Sequence, residues 1–156
     1  MNITDKIKTF EDACKAIGLA SEEALPELLQ PKYADIVPEH IKAQLKLEII
    51  TAALNEGWQH IPDGKQYGYS PWFYLYTTEE IADMDKEEAD ERHMINATDI
   101  SEVFAGLGYA ASSYAWSHTR AILGSRLAYK SRELARYSGR QFIDLWKKAL
   151  FIPINR

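Results

Sequence analysis

The sequence has little of what would identify a secreted, membrane or disulfide-rich protein. Its 156 residues include one cysteine, Cys14, which has no partner for an internal disulfide. Small secreted domains that depend on disulfides carry several cysteines, so the composition favours a reducing compartment. No stretch approaches the roughly 18 apolar residues of a membrane-spanning helix, and the start from Met1 to Lys6 lacks the basic and apolar regions of a signal peptide. We therefore expect a cytoplasmic protein that does not enter a membrane.

Motifs that define a chemistry are also scarce. The histidines form no H-E-x-x-H motif and no pair four residues apart, so nothing predicts a zinc site; they are His40, His60, His93 and His118. Asp83, Asp85 and Glu87 imitate the first ligands of a calcium loop. However, Glu88 and Met94 stand where that loop needs a glycine and a closing glutamate. We predict no catalytic residue, no metal and no cofactor, and keep a small enzyme of unknown reaction as an alternative.

The segment Gly106–Ala111 reads GLGYAA and matches the G-x-G-x-x-A pattern. That pattern cradles a pyrophosphate only where a strand passes into a helix and an acidic residue follows about 20 residues later. Here the following residues favour a strand, and no acid lies at that spacing. The glycines are better interpreted as positions of close strand packing or a bulge.

The composition, with 46% hydrophobic and 26% charged residues, is that of an ordinary soluble domain spanning residues 1–156. Its net charge of -5 is unevenly distributed. Residues 117–156 hold nine basic and two acidic residues, a local charge of +7, which leaves -12 for residues 1–116. Either the two regions neutralise each other within the fold, or they dock onto charged partners.

Helices are predicted in the first third of the chain. Thr9 can cap a helix that ends at Gly18 and places Cys14 in the core. Residues 21–33 contain two prolines and predict a short helix or turns. A longer helix runs from Pro38 to Gly57, and its two apolar stripes indicate burial between layers.

The middle of the chain predicts an aromatic-rich antiparallel sheet. In the extended segment Tyr67–Tyr76, one side presents Trp72, Tyr74 and Tyr76, and the other Phe73 and Leu75. Pro71 indicates an edge position or a bulge. Residues 79–92 hold eight acids against two bases and predict a solvated insertion, at about 78–98, containing at most one short helix. Further strands are predicted at 109–118, with Tyr114, Trp116 and His118 on one side, and at 126–130.

The last element is predicted as one long amphipathic helix that Ser131 caps. Phe142, Leu145 and Trp146 belong to its inward face, and basic residues form a ridge on the other side. The fold class is therefore α+β, with N-terminal helices, a small antiparallel sheet and a long C-terminal helix packed on it.

Two surfaces are candidates for binding partners. The basic candidates for a protein partner or an anion are Arg126, Lys130, Arg132, Arg136, Arg140 and Lys147. The aromatic candidates are Trp72, Tyr74, Tyr76 and Trp116. The basic residues could contact nucleic acid phosphates, or they could form a solvated or ion-paired helix face. The aromatic residues could be a sugar-stacking groove or the core of the sheet.

Three segments, together with the short motif Pro71-Trp72-Phe73 between the second and the third, resemble a known family. They are Phe10–Gly18 (FEDACKAIG), Lys46–Trp58 (KLEIITAALNEGW) and Gly124–Ala135 (GSRLAYKSRELA). They resemble an uncharacterised family of small proteins from Bacteroides and its bacteriophages, including crAss-like phages. The resemblance covers most of the chain, except that the acidic stretch Glu79 to Arg92 is a departure. It implies a phage or mobile-element origin and no known activity.

These observations predict a non-enzymatic structural or protein-interaction protein encoded by a phage, for example a capsid-associated accessory component of the virion. Its partners would be other phage proteins or further copies of itself, in the host cytoplasm or in the particle. The alternatives are a nucleic-acid-binding accessory protein that uses the basic C-terminal helix, and the small enzyme mentioned above.

Overall fold

Helical elements surround a small sheet in the computed structural model, which describes residues 2–61, 63–116 and 125–154, with the backbone alone at 113–116. The helices are α1 (Ile3–Lys6), α2 (Phe10–Ala16), α3 (Glu39–Asn55), α4 (Thr78–Asp83), α5 (Lys86–Arg92), α6 (Arg132–Gln141) and α7 (Ile143–Leu150). The strands are β1 (Tyr67–Tyr76), β2 (Ile95–Asn96) and β3 (Gly106–Trp116). The predicted α+β class is confirmed.

Helix α2 begins at the predicted cap, Thr9, whereas the short helix α1 was not predicted. The Thr9 hydroxyl accepts from the Asp12 N–H at 3.1 Å, and the Asp12 carboxylate accepts from the Thr9 N–H at 3.0 Å. Hydrogen bonds from the backbone of Lys8 and Thr9 lower the pKa of Asp12. Cys14 is buried in the core, as predicted. Residues 21–33 form three single turns of 3₁₀ helix, at Glu22–Ala24, Glu27–Leu29 and Pro31–Tyr33.

Helix α3 is the central element of the core. Of its two apolar stripes, the one with Leu47, Ile50 and Leu54 is fully enclosed, whereas in the other Ile49 is buried but Ile41 is 37% exposed and Ala52 is exposed. The helix contacts both α2 and α7. Pro38 immediately precedes the helix, and Glu56 and Gly57 end it with φ of 52° and 87°. The predicted burial on two sides is therefore only partly correct, because one stripe reaches solvent at both of its ends.

The sheet has the order β1-β3-β2 and is antiparallel. Trp72 pairs with Ala111 and Phe73 with Tyr109, so Ala110 is the extra residue of a bulge in β3. Tyr69 exchanges two backbone hydrogen bonds with Tyr129, away from β3. Backbone groups alternate along a strand, so Pro71 also faces away from β3, where its missing N–H costs no ladder bond. The predicted edge position of Pro71 is confirmed, whereas the bulge lies in β3 opposite Trp72 and Phe73 and not at Pro71.

Two local predictions between the helices are wrong. Residues 126–130 do not form a strand, because Ser125–Leu127 is a 3₁₀ turn and pairing with β1 is limited to Tyr129. The Asn55 side chain binds the Ala128 carbonyl at 2.9 Å and the Lys130 N–H at 3.0 Å, which occupies the backbone groups on either side. The acidic insertion contains two helices instead of at most one, since Thr77 and Asp85 each cap one.

The predicted C-terminal helix is two consecutive helices, because the chain leaves helical geometry at Phe142 (φ -116°, ψ 30°). Both Phe142 and Trp146 are buried as predicted, at 7% and 0% exposure. The Tyr129 hydroxyl lies 2.9 Å from the Thr51 hydroxyl and donates to Ser138 at 2.6 Å. The Trp146 indole N–H donates to the same Ser138 oxygen at 3.2 Å. This buried network joins α3, α6 and α7.

Candidate functional site

The predicted basic surface is largely neutralised by carboxylates of the same chain. Lys130 binds Glu56 at 2.8 Å, Arg136 binds Glu91 at 2.6 Å and Lys147 binds Asp99 at 2.5 Å. Arg126 lies 3.7 Å from Glu48. Each of these acids belongs to the first 116 residues, so the two oppositely charged regions pair within one fold. The prediction of a free basic ridge is wrong for Lys130, Arg136 and Lys147, whereas Arg126 is 81% exposed and makes only this long contact among the described residues.

The other two basic candidates differ from each other. Arg140 is half-buried, and its Nε has no hydrogen-bond partner within the described part of the chain. Burial and the nearby Arg136 lower the pKa of Arg140. Arg132 is exposed and makes no ion pair with any residue that the structure describes. The six candidates therefore do not form a continuous row of available cations.

The predicted aromatic row lies on the outer face of β1, which is the face turned away from α6 and α7. Trp72 and Tyr74 are 40% and 51% exposed, and their rings meet edge to face at 4.9 Å between centroids. The rings of Tyr74 and Tyr76 also meet edge to face, at 6.2 Å between centroids. Tyr76 is half-buried beneath the Arg92 guanidinium, 5.6 Å from its ring centroid. The side chain of Trp116, the fourth aromatic candidate, lies outside the described residues.

Two glycines allow the acidic helices to lie beside this row. Gly106 and Gly108 of β3 are paired with Tyr76 and Tyr74. A Cβ at Gly106 would lie 2.7 Å from Ile81 and 2.7 Å from Met94, and one at Gly108 would lie 2.5 Å from the Met94 sulfur. The side chains of Ile81 and Met94 thus occupy the space above the glycines. The interpretation of GLGYAA as a close-packing segment is confirmed.

The acidic helices add negative charge to the end of the aromatic row. Burial and the carboxylates Glu88 and Glu80 raise the pKa of Tyr76, against the opposite effect of Arg92. Glu88 is paired with Arg92 at 2.6 Å. Further acids of α4 and α5 make no ion pair within the described ranges; they are Glu79, Asp83, Glu87 and Asp90. We call Trp72, Tyr74 and Tyr76 together with α4 and α5 the acidic–aromatic surface.

A polar cavity of about 310 Å³ lies beside α3 and was not predicted from the sequence. Its walls include Glu48, Trp58, His60, Ser125 and Arg126. The His60 Nδ1 lies 3.3 Å from the Ser125 hydroxyl, and the rings of Trp58 and His60 are 6.0 Å apart. These residues come from two distant parts of the sequence, 48–60 and 125–126, and follow no motif, so only their common position beside α3 could reveal the site.

The structure groups no three histidine, cysteine or carboxylate side chains around a metal position within the described residues. Asp85, one of the residues resembling a calcium loop, accepts from the Glu88 N–H at 2.7 Å as the cap of α5. Among the described segments, no helix combines the length and the apolar character needed to cross a bilayer.

Comparisons of the chain with models of protein families, with curated proteins and with solved structures find no match.

Proposed function

We propose that the chain is a non-enzymatic structural or protein-interaction protein of phage origin that binds a basic segment of a partner protein through the acidic–aromatic surface. The observation that carries this proposal is the exposure of Trp72 and Tyr74, at 40% and 51%, next to helices whose acids are mostly unpaired among the described residues. Large exposed aromatic side chains that lie together are typical of interaction sites.

The partner's charge follows from the surroundings of the aromatic row. Lysine and arginine side chains pack on the faces of tryptophan and tyrosine, with about 0.5–1 kcal/mol for each exposed contact. Arg92 already makes such a contact with Tyr76 from within the chain. The acids of α4 and α5 attract the same side chains and would repel a polyanion. A protein segment rich in lysine and arginine therefore fits this surface better than nucleic acid does.

The nucleic-acid alternative has less support than the sequence suggested. Of the six basic candidates, Arg126, Lys130, Arg136 and Lys147 face carboxylates of the same chain. A phosphate would have to compete with those carboxylates. Exposed ion pairs contribute only about 0–1 kcal/mol each, so the pairing reduces phosphate affinity without abolishing it.

The binding proposal can be tested with two fluorescently labelled peptides of equal length, one alternating lysine or arginine with apolar residues and one in which glutamate replaces each basic residue. We expect the basic peptide alone to bind, and to bind more weakly as salt is raised. The double variant Trp72→Ala with Tyr74→Ala should weaken binding by about tenfold, which is about 1.4 kcal/mol.

Charge variants give the matched control for this experiment. Glu79→Lys with Glu87→Lys changes the acidic–aromatic surface, whereas Glu22→Lys with Glu23→Lys makes the same charge change in the exposed turn near residue 22. Only Glu79→Lys with Glu87→Lys should weaken the binding of the basic peptide. Equal binding of both peptides, or equal effects of the two pairs, would contradict the proposal.

The virion component of the proposal depends on the resemblance to phage proteins. It requires the chain to be present in purified particles of the phage that encodes it. Mass spectrometry of such particles should detect it at a fixed ratio to the capsid protein. Its absence from the particles would leave an interaction protein that acts in the host cytoplasm.

A further inference from the structure

The charges that line the polar cavity beside α3 balance each other. The Glu48 carboxylate and the Arg126 guanidinium lie 3.7 Å apart, which is longer than a hydrogen bond. The Arg126 side chain is 81% exposed, so this pair is open to solvent and to a ligand. A charged ligand would be attracted by one of the two groups and repelled by the other. The cavity therefore favours a neutral ligand that can both donate and accept hydrogen bonds.

The hydrogen-bonding groups of the cavity are of two kinds: those at its base (the floor) bind the protein backbone, and those at its opening (the rim) face a ligand. Asn55 uses both ends of its amide on the backbone of Ala128 and Lys130, so it holds the floor in place. Glu48 accepts from Gln44 through Oε1, and among the described residues its Oε2 makes only the long contact with Arg126. The Ser125 hydroxyl has one donor and two acceptor sites, of which the His60 contact uses one. The rim thus offers a carboxylate, a guanidinium and a hydroxyl.

The remaining wall is aromatic and fixed. The His60 ring packs so closely on β1 that a Cβ at Gly68 would lie 3.2 Å from its Cδ2 and Nε2. Its Nε2 is enclosed and has no hydrogen-bond partner in the described part of the chain. Trp58 is half-buried beside this ring and supplies an indole to the lining of the cavity.

We infer that this cavity binds a neutral polyhydroxylated small molecule the size of one or two sugar rings. Sugar hydroxyls donate to a carboxylate and accept from a guanidinium, and the C–H face of the ring packs on an indole. The volume is at the low end of the range of about 300–1,000 Å³ found for small-ligand sites. The site is separate from the acidic–aromatic surface, because Trp72, the member of its aromatic row nearest to Gly68, lies four residues along β1, about 13 Å away.

The test is a titration of the full ¹⁵N-labelled chain followed by NMR. The probes are D-glucose, D-galactose, D-mannose and N-acetylglucosamine, each raised to about 20 mM, which is well above a Kd of about 1 mM. Adenosine and inorganic phosphate are the comparison probes. At least one sugar should give saturable shifts of the amides from Gly57 to His60 and at Ser125 and Arg126.

Three variants assign the shifts to the cavity. Glu48→Gln keeps the shape of the side chain and should reduce the affinity for the sugar by about tenfold. Arg126→Gln should have an effect of the same size. Tyr74→Ala is the matched control and should bind the sugar like the unchanged chain. The dispersion of the amide spectrum shows whether each variant is folded.

Several outcomes would overturn the inference. One is the absence of a saturable shift with every sugar. Another is binding of adenosine or phosphate at these amides without any sugar, which would assign a different ligand class. A third is unchanged sugar affinity in both folded variants Glu48→Gln and Arg126→Gln.

Discussion

The two faces of the sheet use aromatic residues in opposite ways. On the inner face, Phe73 lies 5.8 Å from Trp146 and 6.5 Å from Tyr109, between centroids, in a core closed by α3, α6 and α7. On the outer face, Trp72 and Tyr74 are exposed. Helices α4 and α5 cover only the part of this face where Gly106 and Gly108 leave space. The comparison indicates that aromatic residues of the inner face are buried in the core, whereas those of the outer face leave Trp72 and Tyr74 exposed to solvent.

The largest expected effect separates the two faces directly. Trp146→Ala removes a fully enclosed indole and should reduce the free energy of unfolding by about 3–5 kcal/mol. Trp72→Ala, the matched change on the outer face, should cost less than about 1 kcal/mol, because much of that ring is already in water. Urea unfolding followed by circular dichroism measures both. Similar losses for the two variants would contradict the division between the faces.

The next effect concerns the hydroxyl network beneath the inner face. Tyr129→Phe leaves Ser138 without the hydroxyl that donates to it at 2.6 Å. Because the site is fully buried, we expect a loss of about 1–2 kcal/mol. Tyr33→Phe is the control, since the Tyr33 hydroxyl donates to Glu27 at an exposed position. Burial also raises the pKa of Tyr129 to about 12. Equal stability of Tyr129→Phe and the unchanged chain would show that the network adds nothing.

Matched glycine substitutions compare how tightly each face is packed. A Cβ at Gly139 of α6 would lie 2.6 Å from the Pro71 Cβ and 2.8 Å from the Tyr109 ring, both of which are rigid. Overpacking of this kind costs about 1–3 kcal/mol, and higher helix propensity offsets about 1 kcal/mol of it. Gly106→Ala meets only the flexible ends of Ile81 and Met94. Thermal unfolding should therefore show a larger loss for Gly139→Ala, and the reverse order would contradict this view of the packing.

The smallest expected effect is a pH dependence where α5 meets α6. Burial and the Arg140 guanidinium lower the pKa of His93 below its ordinary value of 6.5, while Asp90 and a hydrogen bond with the Arg140 backbone act in the opposite direction. The His93 imidazole therefore takes up a proton more readily in the unfolded chain than in the folded one. The stability that His93 contributes is complete above pH 6.5 and is lost as the pH falls.

His93→Asn, which suits the left-handed backbone at this position (φ 50°), should reduce the loss of stability between about pH 6.5 and 5. Urea midpoints at several pH values measure it, with the exposed His40→Asn as the control. At lower pH a second loss should follow, because Lys147 lowers the pKa of Asp99 below 3.8 and Lys130 lowers that of Glu56 below 4.5. An unchanged loss in His93→Asn between pH 6.5 and 5 would assign the effect to another group.

The sequence determined those features that depend on residues close together in the chain. The Thr9 cap, the one buried stripe of α3, the alternation of Trp72 with Phe73 and the edge position of Pro71 were all predicted, because capping and periodicity act over a few residues. The aromatic part of the candidate surface followed from the same alternation.

The tertiary structure decided the features that join distant residues. Arg136 is 45 residues from Glu91, and Lys130 is 74 residues from Glu56, so no local pattern could show that the basic residues are paired. Likewise, the predicted strand at 126–130 does not form, because the Asn55 side chain binds the backbone on either side of Tyr129. The cavity exists only because Glu48, Trp58 and Ser125 lie together beside α3. Such contacts depend on where complete elements pack, which the periodicity of a single segment does not specify.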